Sequence, residues 1–270
     1  METGKGAEQE KEVEADLEKD SILDERYVII RKIGSGGFAK TYLVLDQKDE
    51  NEYAAKIVLE KRYQKDKKVL LNEIKIINKL NEIPENNKYL IQYHGSGVGK
   101  VRKNQVISKD REYLITNYIS KGNLIKYIMK TEEGFEEKHA KIIFYRILKS
   151  VQFIHNSGIC HLDLKDNILL DDNYNPIIID FGLSEILVKK GEKEYELIND
   201  NRIRGTPSFI SPDMRYSKIG YNGIKADIFS LGVVLFYLVT KKKCFEISRK
   251  RDKAFKLISE DNIKNFGNIF

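Results

Sequence analysis

The chain opens with short apolar runs set between polar turns, and the period of its apolar positions lengthens further on. Tyr27-Val28-Ile29-Ile30, Tyr42-Leu43-Val44-Leu45 and Tyr53-Ala54-Ala55-Lys56-Ile57-Val58 are rich in β-branched and aromatic residues and predict three strands. Over Val69–Leu80 the period changes: Leu70, Ile74, Ile77 and Leu80 recur three or four apart, which predicts a helix with Glu73 beside its apolar stripe. Leu90–Tyr93 and Glu112–Asn117 predict two further strands, and the polar stretch Gly95–Arg111 between them an exposed hairpin. From Leu124 to Asn156 the pattern is helical. Ala140, Ile143, Phe144, Ile147, Leu148, Val151 and Ile154 form one face, and Gly158 supplies the C-terminal stop. Ile168–Leu170 and Ile177–Ile179 predict two short buried strands around the turn Asp171–Pro176. Ile228–Val239 predicts a buried helix, being shorter than the ~20 residues a bilayer span takes. Asp252–Ile258 and Asp261–Phe266 predict a last helix and its exit.

Charge changes this picture at one end. Residues 1–26 hold ten acids and four Lys or Arg, so the remainder of a chain of net charge +6 carries +12. An acidic, aromatic-poor start before a basic body predicts a disordered, solvated tail to residue 26. Lys241-Lys242-Lys243 and Arg249-Lys250-Arg251 come with no nucleic-acid motif, and no nucleic-acid or membrane partner is expected. Two cysteines, Cys160 and Cys244, make neither a disulfide framework nor a zinc spacing, which suits a reducing compartment. The N-terminus lacks the apolar core of a secretory signal, and Glu2 excludes the usual myristoylation motif. The expected location is the cytoplasm, with the nucleus left open.

Candidate chemistry gathers in Cys160–Ser184. Asp163 lies upstream of the first short strand, Asn167 at its start and Asp180 just after the second, a set of hard oxygen donors that suits Mg²⁺ and phosphate. Ile33-Gly34-Ser35-Gly36-Gly37-Phe38-Ala39-Lys40-Thr41 is a glycine-rich hairpin whose backbone N–H groups can approach phosphate; an ordinary flexible turn is the plainer reading. Lys56 inside an apolar strand is either snorkelling at an edge or kept for a charged partner, and Glu73 reads equally as a surface acid.

His161-Leu162-Asp163-Leu164-Lys165, Asn167 and Asp180-Phe181-Gly182 together resemble the catalytic loop and Asp-Phe-Gly segment of protein kinases. The hairpin resembles the family's phosphate-covering loop, with Ala39 where the third glycine usually sits. The texture is similar to serine/threonine kinases of the calcium/calmodulin-dependent type. The resemblance implies an α+β, two-lobed fold: an antiparallel lobe over about 27–119 and a mainly helical lobe over about 120–266, short of its base. It implies ATP and Mg²⁺ as cofactors and a protein Ser or Thr as acceptor. Asp163, Lys165 and Thr206 would be catalytic, Thr206 by bonding to Asp163 and Lys165, and Asn167 and Asp180 would hold the metal. Ile33, Gly34, Ser35, Gly36, Phe38, Thr41, Ala54, Lys56, Glu73, Thr116, Asn117, Ile119 and Leu169 would form the nucleotide site, with Glu73 the partner of Lys56 and Asn117–Ile119 the hinge.

The chain departs from the pattern in two ways. Leu162 stands where the family carries Arg, and three residues rather than four separate Asp163 from Asn167. The shorter loop makes Asp166 an alternative to Asn167 at the metal. From Glu185 to Arg204 there is no Ser or Thr and Tyr195 is the one hydroxyl, so activity independent of phosphorylation in this segment is expected. The alternative function is a pseudokinase, a nucleotide-binding or interaction scaffold with little or no transfer.

Overall fold

A computed structural model describes residues 16–58, 63–83, 88–131, 135–191, 194–200 and 203–260. Strands β1 (Ile22–Leu23), β2 (Tyr27–Ser35), β3 (Ala39–Asp46) and β4 (Glu52–Val58) precede helix α1 (Tyr63–Asn81). Strands β5 (Tyr93–Gly99), β6 (Val101–Lys103), β7 (Val106–Ile107), β8 (Arg111–Asn117) and β9 (Gly122–Asn123) lead to α2 (Leu124–Lys130) and α3 (Glu137–Asn156). Six short strands follow: β10 (Ile159–Cys160), β11 (Ile168–Leu170), β12 (Pro176–Ile178), β13 (Glu185–Ile186), β14 (Lys189–Lys190) and β15 (Glu194–Tyr195). Helices α4 (Pro212–Tyr216), α5 (Gly223–Thr240) and α6 (Lys253–Ser259) complete the described chain. The predicted exit at Asp261–Phe266 lies outside the described residues.

The chain divides into two compact units, residues 1–67 with 96–115, and residues 68–95 with 116–270. This division differs from a boundary at residue 119, because α1 from Lys68 onward belongs to the second unit. There the Asn72 amide donates to the carbonyls of Gly182 at 3.2 Å and Ser184 at 3.0 Å.

The first unit is organised by one sheet in the order β5-β8-β4-β3-β2-β1-β6-β7. Alternation along β2, β3 and β4 puts Ile29, Tyr42, Val44, Ala55 and Ile57 into a common core with Leu23, Val101 and Ile115. Two expectations are corrected here. Residues 16–26 are not a free tail: β1 pairs with β2 and β6, Leu23 is fully buried, and Asp16 pairs with Lys32 and, at 2.9 Å, with Lys40. Two apolar residues among acids are enough to place a short strand between β2 and β6. Residues 1–15 lie outside the described residues. The stretch 95–111 is likewise more than an exposed hairpin, since β6 and β7 extend the sheet and Val101 enters the core.

In the second unit, α1 buries Leu70, Glu73, Ile76, Ile77 and Leu80, so the acid replaces Ile74 on the packed face. The predicted strand at Leu90–Tyr93 starts only at Tyr93; Leu90 makes an isolated bridge to Ile178. The predicted long helix is two, α2 capped by the Asn123 side chain and α3 carrying Ala140, Ile143, Ile147, Val151 and Ile154 inward. Leu148, expected on that face, is 39% exposed. Gly158, at φ 70°, closes the end of α3 with its N–H on the His155 carbonyl. β9, β11 and β12 form a three-stranded sheet, with Leu169 opposite Asn123 and Ile177.

Helix α5 is longer than predicted, 18 residues, and by length and composition alone it is apolar enough to cross a membrane. Half of it is buried within the unit, including Ala226, Asp227, Leu231, Val234 and Leu238, which gives it the pattern of a core helix.

Candidate active site

The loop between β10 and β11 is fixed by a residue far away in sequence. Asp227, fully buried in the second turn of α5, accepts hydrogen bonds from the backbone N–H of His161 and of Leu162, both at 2.7 Å. It also meets His155 Nε2 at 2.9 Å. The carboxylate therefore satisfies two buried amides that have no ladder to join. Leu162 takes φ 65°, a left-handed conformation that costs a branched side chain about 1–2 kcal/mol. Burial of its side chain with Cys160, Leu187, Ile210 and Met214 offsets that cost. An Arg there would place its charge among apolar groups, which is why the leucine suits this loop.

His161 is a structural residue. Its Nε2 faces the Ile179 carbonyl at 3.0 Å and its Nδ1 the Asp163 N–H at 3.3 Å. Together these set the tautomer with the proton on Nε2. The ring packs on Phe181 with centroids 5.0 Å apart. The imidazole thus ties the start of the loop to the strand leading into Asp180.

Asp163 and Asn167 come together despite the shortened loop. Asn167 Nδ2 donates to the Asp163 carbonyl at 2.8 Å and to its carboxylate at 3.3 Å. With the amide nitrogen so occupied, Oδ1 is the donor atom left for a cation. The Ile179 N–H donates to the Asn167 carbonyl at 2.9 Å, holding Asn167 alongside the residue preceding Asp180. Asp180 itself has φ 60° and its carboxylate accepts from the Gly182 N–H at 3.2 Å. These oxygens match the chemistry of a hard divalent ion. The Asp166 carboxylate pairs with Lys165 Nζ at 3.0 Å, and its carbonyl accepts from Asn123.

Burial pushes the Asp163 carboxyl up to about 6, with nearby His161 opposing the rise and Asp180 and Asp166 adding to it. A carboxylate so raised is a stronger base than an exposed one and is still ionised at neutral pH.

The expected role of Thr206 is corrected. Its hydroxyl bonds to neither Asp163 nor Lys165. Its carbonyl instead closes a turn by accepting from the Phe209 N–H at 2.8 Å, and Lys165 Nζ lies over the Phe209 ring. The neighbour that reaches Asp163 is Gly205, at φ 89°. A Cβ there would stand 3.2 Å from Asp163 Oδ1 and 3.1 Å from the Leu162 carbonyl.

Among the other candidates in the second unit, Glu73 is 3% exposed on α1. Thr116 and Asn117 end β8, and Asn117 is pinned to Gln92 from both sides. Its N–H donates to the Gln92 carbonyl at 3.1 Å, and its side chain accepts from the Gln92 N–H at 2.9 Å. Ile119 is buried. Leu169 turns to the face of β11 opposite Ile168 and Leu170.

In the first unit, Gly34, Thr41 and Lys56 form one row across β2, β3 and β4, so Thr41 and Lys56 share a face of the sheet. Ala54 lies two residues along the same face of β4. Ser35 is opposite Lys40, the Gly36 N–H donates to the Ala39 carbonyl at 3.0 Å, and Ile33 and Phe38 are half-buried on either side.

Sequence reasoning missed two side chains that shape the site. Asn72, a polar residue on α1, gathers the carbonyls of Phe181, Gly182 and Ser184. Arg204, 5% exposed, pairs with Glu185 at 2.7 Å and with Asp200. No periodicity marks either; a polar residue on the packed side of α1 and an arginine just before Gly205 were the available signals.

An antiparallel sheet carrying a glycine-rich hairpin and a strand lysine, with a helical unit carrying the Asp163, Asn167 and Asp180 loops, defines a protein kinase fold. A protein kinase domain family model matches residues 27–268, and the chain belongs to that family. It is 33% identical over 225 residues to CBL-interacting serine/threonine-protein kinase 2 of Arabidopsis thaliana, covering 82% of this chain and 44% of that protein. It is 28% identical over 250 residues to CBL-interacting protein kinase 25 of Oryza sativa subsp. japonica, covering 90% and 45% respectively. It is 30% identical over 249 residues to CBL-interacting protein kinase 5 of the same organism, covering 91% and 49%. The chain thus spans less than half the length of these relatives.

Proposed function

We propose that this chain transfers the γ-phosphate of ATP to a Ser or Thr hydroxyl of a protein. The observation that carries this reading is the placement of Asp163, buried enough to be a good base and fixed by Asn167 on one side and Gly205 on the other. Asp163 orients the acceptor hydroxyl and takes its proton, and Lys165 offsets charge on the phosphoryl oxygens. Asn167 Oδ1 and the Asp180 carboxylate hold the magnesium, which when bound screens the phosphate charge. Gly34, Ser35, Gly36 and Lys56, with Ala54 beside them, are the proposed phosphate-side residues of the first unit, and Glu73, Thr116, Asn117, Ile119 and Leu169 the proposed nucleotide residues of the second. The site belongs to a domain over about 27–266, and the cytoplasm is its proposed location.

Radiolabelled transfer from ATP to a generic protein tests this, with Asp163→Asn as control. Loss of a general base costs on the order of 10²–10⁴ in rate. Nucleotide binding with no transfer above the control would make the chain the scaffold instead.

A further inference from the structure

The segment from Leu183 to Gly205 joins the Asp180 loop to the turn at Thr206–Phe209, and one side chain touches its start and its end. Arg204 Nη1 donates to the Leu183 carbonyl at 3.1 Å and to Glu185 Oε2 at 2.7 Å, while Nη2 pairs with Asp200. The side chain is 4% exposed, so these contacts are made largely out of water, where a charge needs partners. Both ends of the segment rest on the Asp163 loop. Glu185 pairs with Cys160 in the β10–β13 ladder, and the Ser184 hydroxyl donates to the His161 carbonyl at 3.1 Å. The Leu187 N–H donates to the Gly158 carbonyl at 2.8 Å. At the far end Gly205, next to Arg204, stands against Leu162 and Asp163. The guanidinium is therefore the junction through which the start, the middle and the end of the segment are kept in register with the base.

The negative charge at this junction comes from the chain itself. Glu185 and Asp200 face Arg204, and between Glu185 and Arg204 the only hydroxyl side chain is Tyr195. Leu162 is buried in the apolar cluster and offers no cation to an added phosphate.

We propose that Arg204 is a positioning residue that holds this segment, with Glu185 and Asp200, in the arrangement the Asp163 site needs, so that the site is organised without covalent modification. This rests on the phosphotransfer reading above, but its structural half can be read without any turnover.

The test uses the full chain and the variants Arg204→Gln, Arg204→Lys and Glu185→Gln, the last being partly exposed and the mildest. Hydrogen exchange at the Leu187, Glu196 and Ile198 amides reports the order of the segment. Exchange there should speed up about tenfold or more in Arg204→Gln, from the loss of charge-assisted bonds, while the β3–β4 amides of the first unit stay unchanged. Arg204→Lys, which keeps the charge and loses the fork, should rescue only part of the protection. In the phosphotransfer assay kcat should fall on the order of 10²-fold with KM for ATP nearly constant, as a misplaced site demands. Glu185→Gln should shift both readouts the same way by less, and add little once Arg204 is already Gln. Phosphatase treatment of the wild-type chain should leave its rate unchanged.

Unaltered exchange in both Arg204→Gln and Glu185→Gln overturns the clamp. So does a rate that collapses on phosphatase treatment. A wild-type chain with no transfer removes the functional reading, and the exchange data alone then decide whether Arg204 orders the segment.

Discussion

Two loops of this protein, the glycine-rich hairpin at 33–41 and the loop at 161–167, are built on opposite principles. The hairpin at 33–41 in the first unit is held mainly by its own ladder, with Lys40 tied to Asp16 near its base. Its ladder has register shifts between Ile29 and Arg31 and between Lys32 and Gly34, and a Cβ at Gly37 would meet nothing within 4 Å. The loop at 161–167 in the second unit is held by the Asp227 carboxylate of α5, itself met by His155 of α3, and by the His161 ring on the Ile179 carbonyl. A loop that must move over phosphates can do with little fixing. The loop that on the proposed reading aims a base is fixed from several directions, at the cost of a left-handed leucine.

The difference is tested first at Asp227. Asp227→Ala strips the acceptor from two buried amides and from His155, and should destabilise the protein by about 3–5 kcal/mol. In a chain of this size that is a drop in Tm of roughly 10 °C. Thermal melts of the purified variant check it. A change of only a degree or two would mean that the loop does not depend on α5.

The next effect is a pH dependence. The Asp163 carboxyl is raised to about 6 by burial, above its value in the unfolded chain, so the folded state binds this proton more tightly. The group therefore opposes folding when ionised above pH 6, and the penalty fades as pH falls and is gone below about 4. Asp163→Asn should stabilise the nucleotide-free, metal-free protein by roughly 1–3 kcal/mol at pH 7–8, with the gain shrinking toward pH 4. Denaturant midpoints of wild type and variant at pH 8 and pH 5 read the sign. A gain that does not change with pH would take burial away as its cause.

The sequence shows the strands and the site letters but not what holds them. Strands β2 to β4 and the Asp163 and Asp180 loops follow from local alternation and from turn chemistry, which nearby residues decide. Asn72, Arg204 and β1 do not, because each acts through a partner distant in sequence or through two residues too few to set a period. Thr206 failed for a related reason: the letters matched a pattern, but backbone geometry brought Gly205, not the hydroxyl, to Asp163. The shorter spacing between Asp163 and Asn167 makes Asp166 an alternative in the sequence, yet the Asn167 amide still folds back onto the Asp163 carbonyl. The hydrogen bond from Ile179 determines where Asn167 goes as much as loop length does.

Gly205→Ala comes third. At φ 89° an alanine is strained by about 1–2 kcal/mol, and its methyl would press on the Leu162 carbonyl and on Asp163 Oδ1. Chemical denaturation should show that loss, and phosphotransfer should fall further than stability does, because the contact is with the base. Equal activity in a destabilised variant would separate Gly205 from the site.

The smallest effect belongs to the other loop. Gly37 has no neighbour that a Cβ would strike and no positive φ to lose, so Gly37→Ala removes only backbone freedom. Stability should stay within about 0.5 kcal/mol of wild type or rise slightly, since the unfolded chain loses more freedom than the folded one. If the hairpin works by bending over phosphates, its rate constants for nucleotide binding and release should slow while the melting temperature holds. Stopped-flow binding of a fluorescent ATP analogue measures this directly. A loss of stability as large as that of Gly205→Ala would show the hairpin to be as tightly determined as the Asp163 loop, and the contrast between them would disappear.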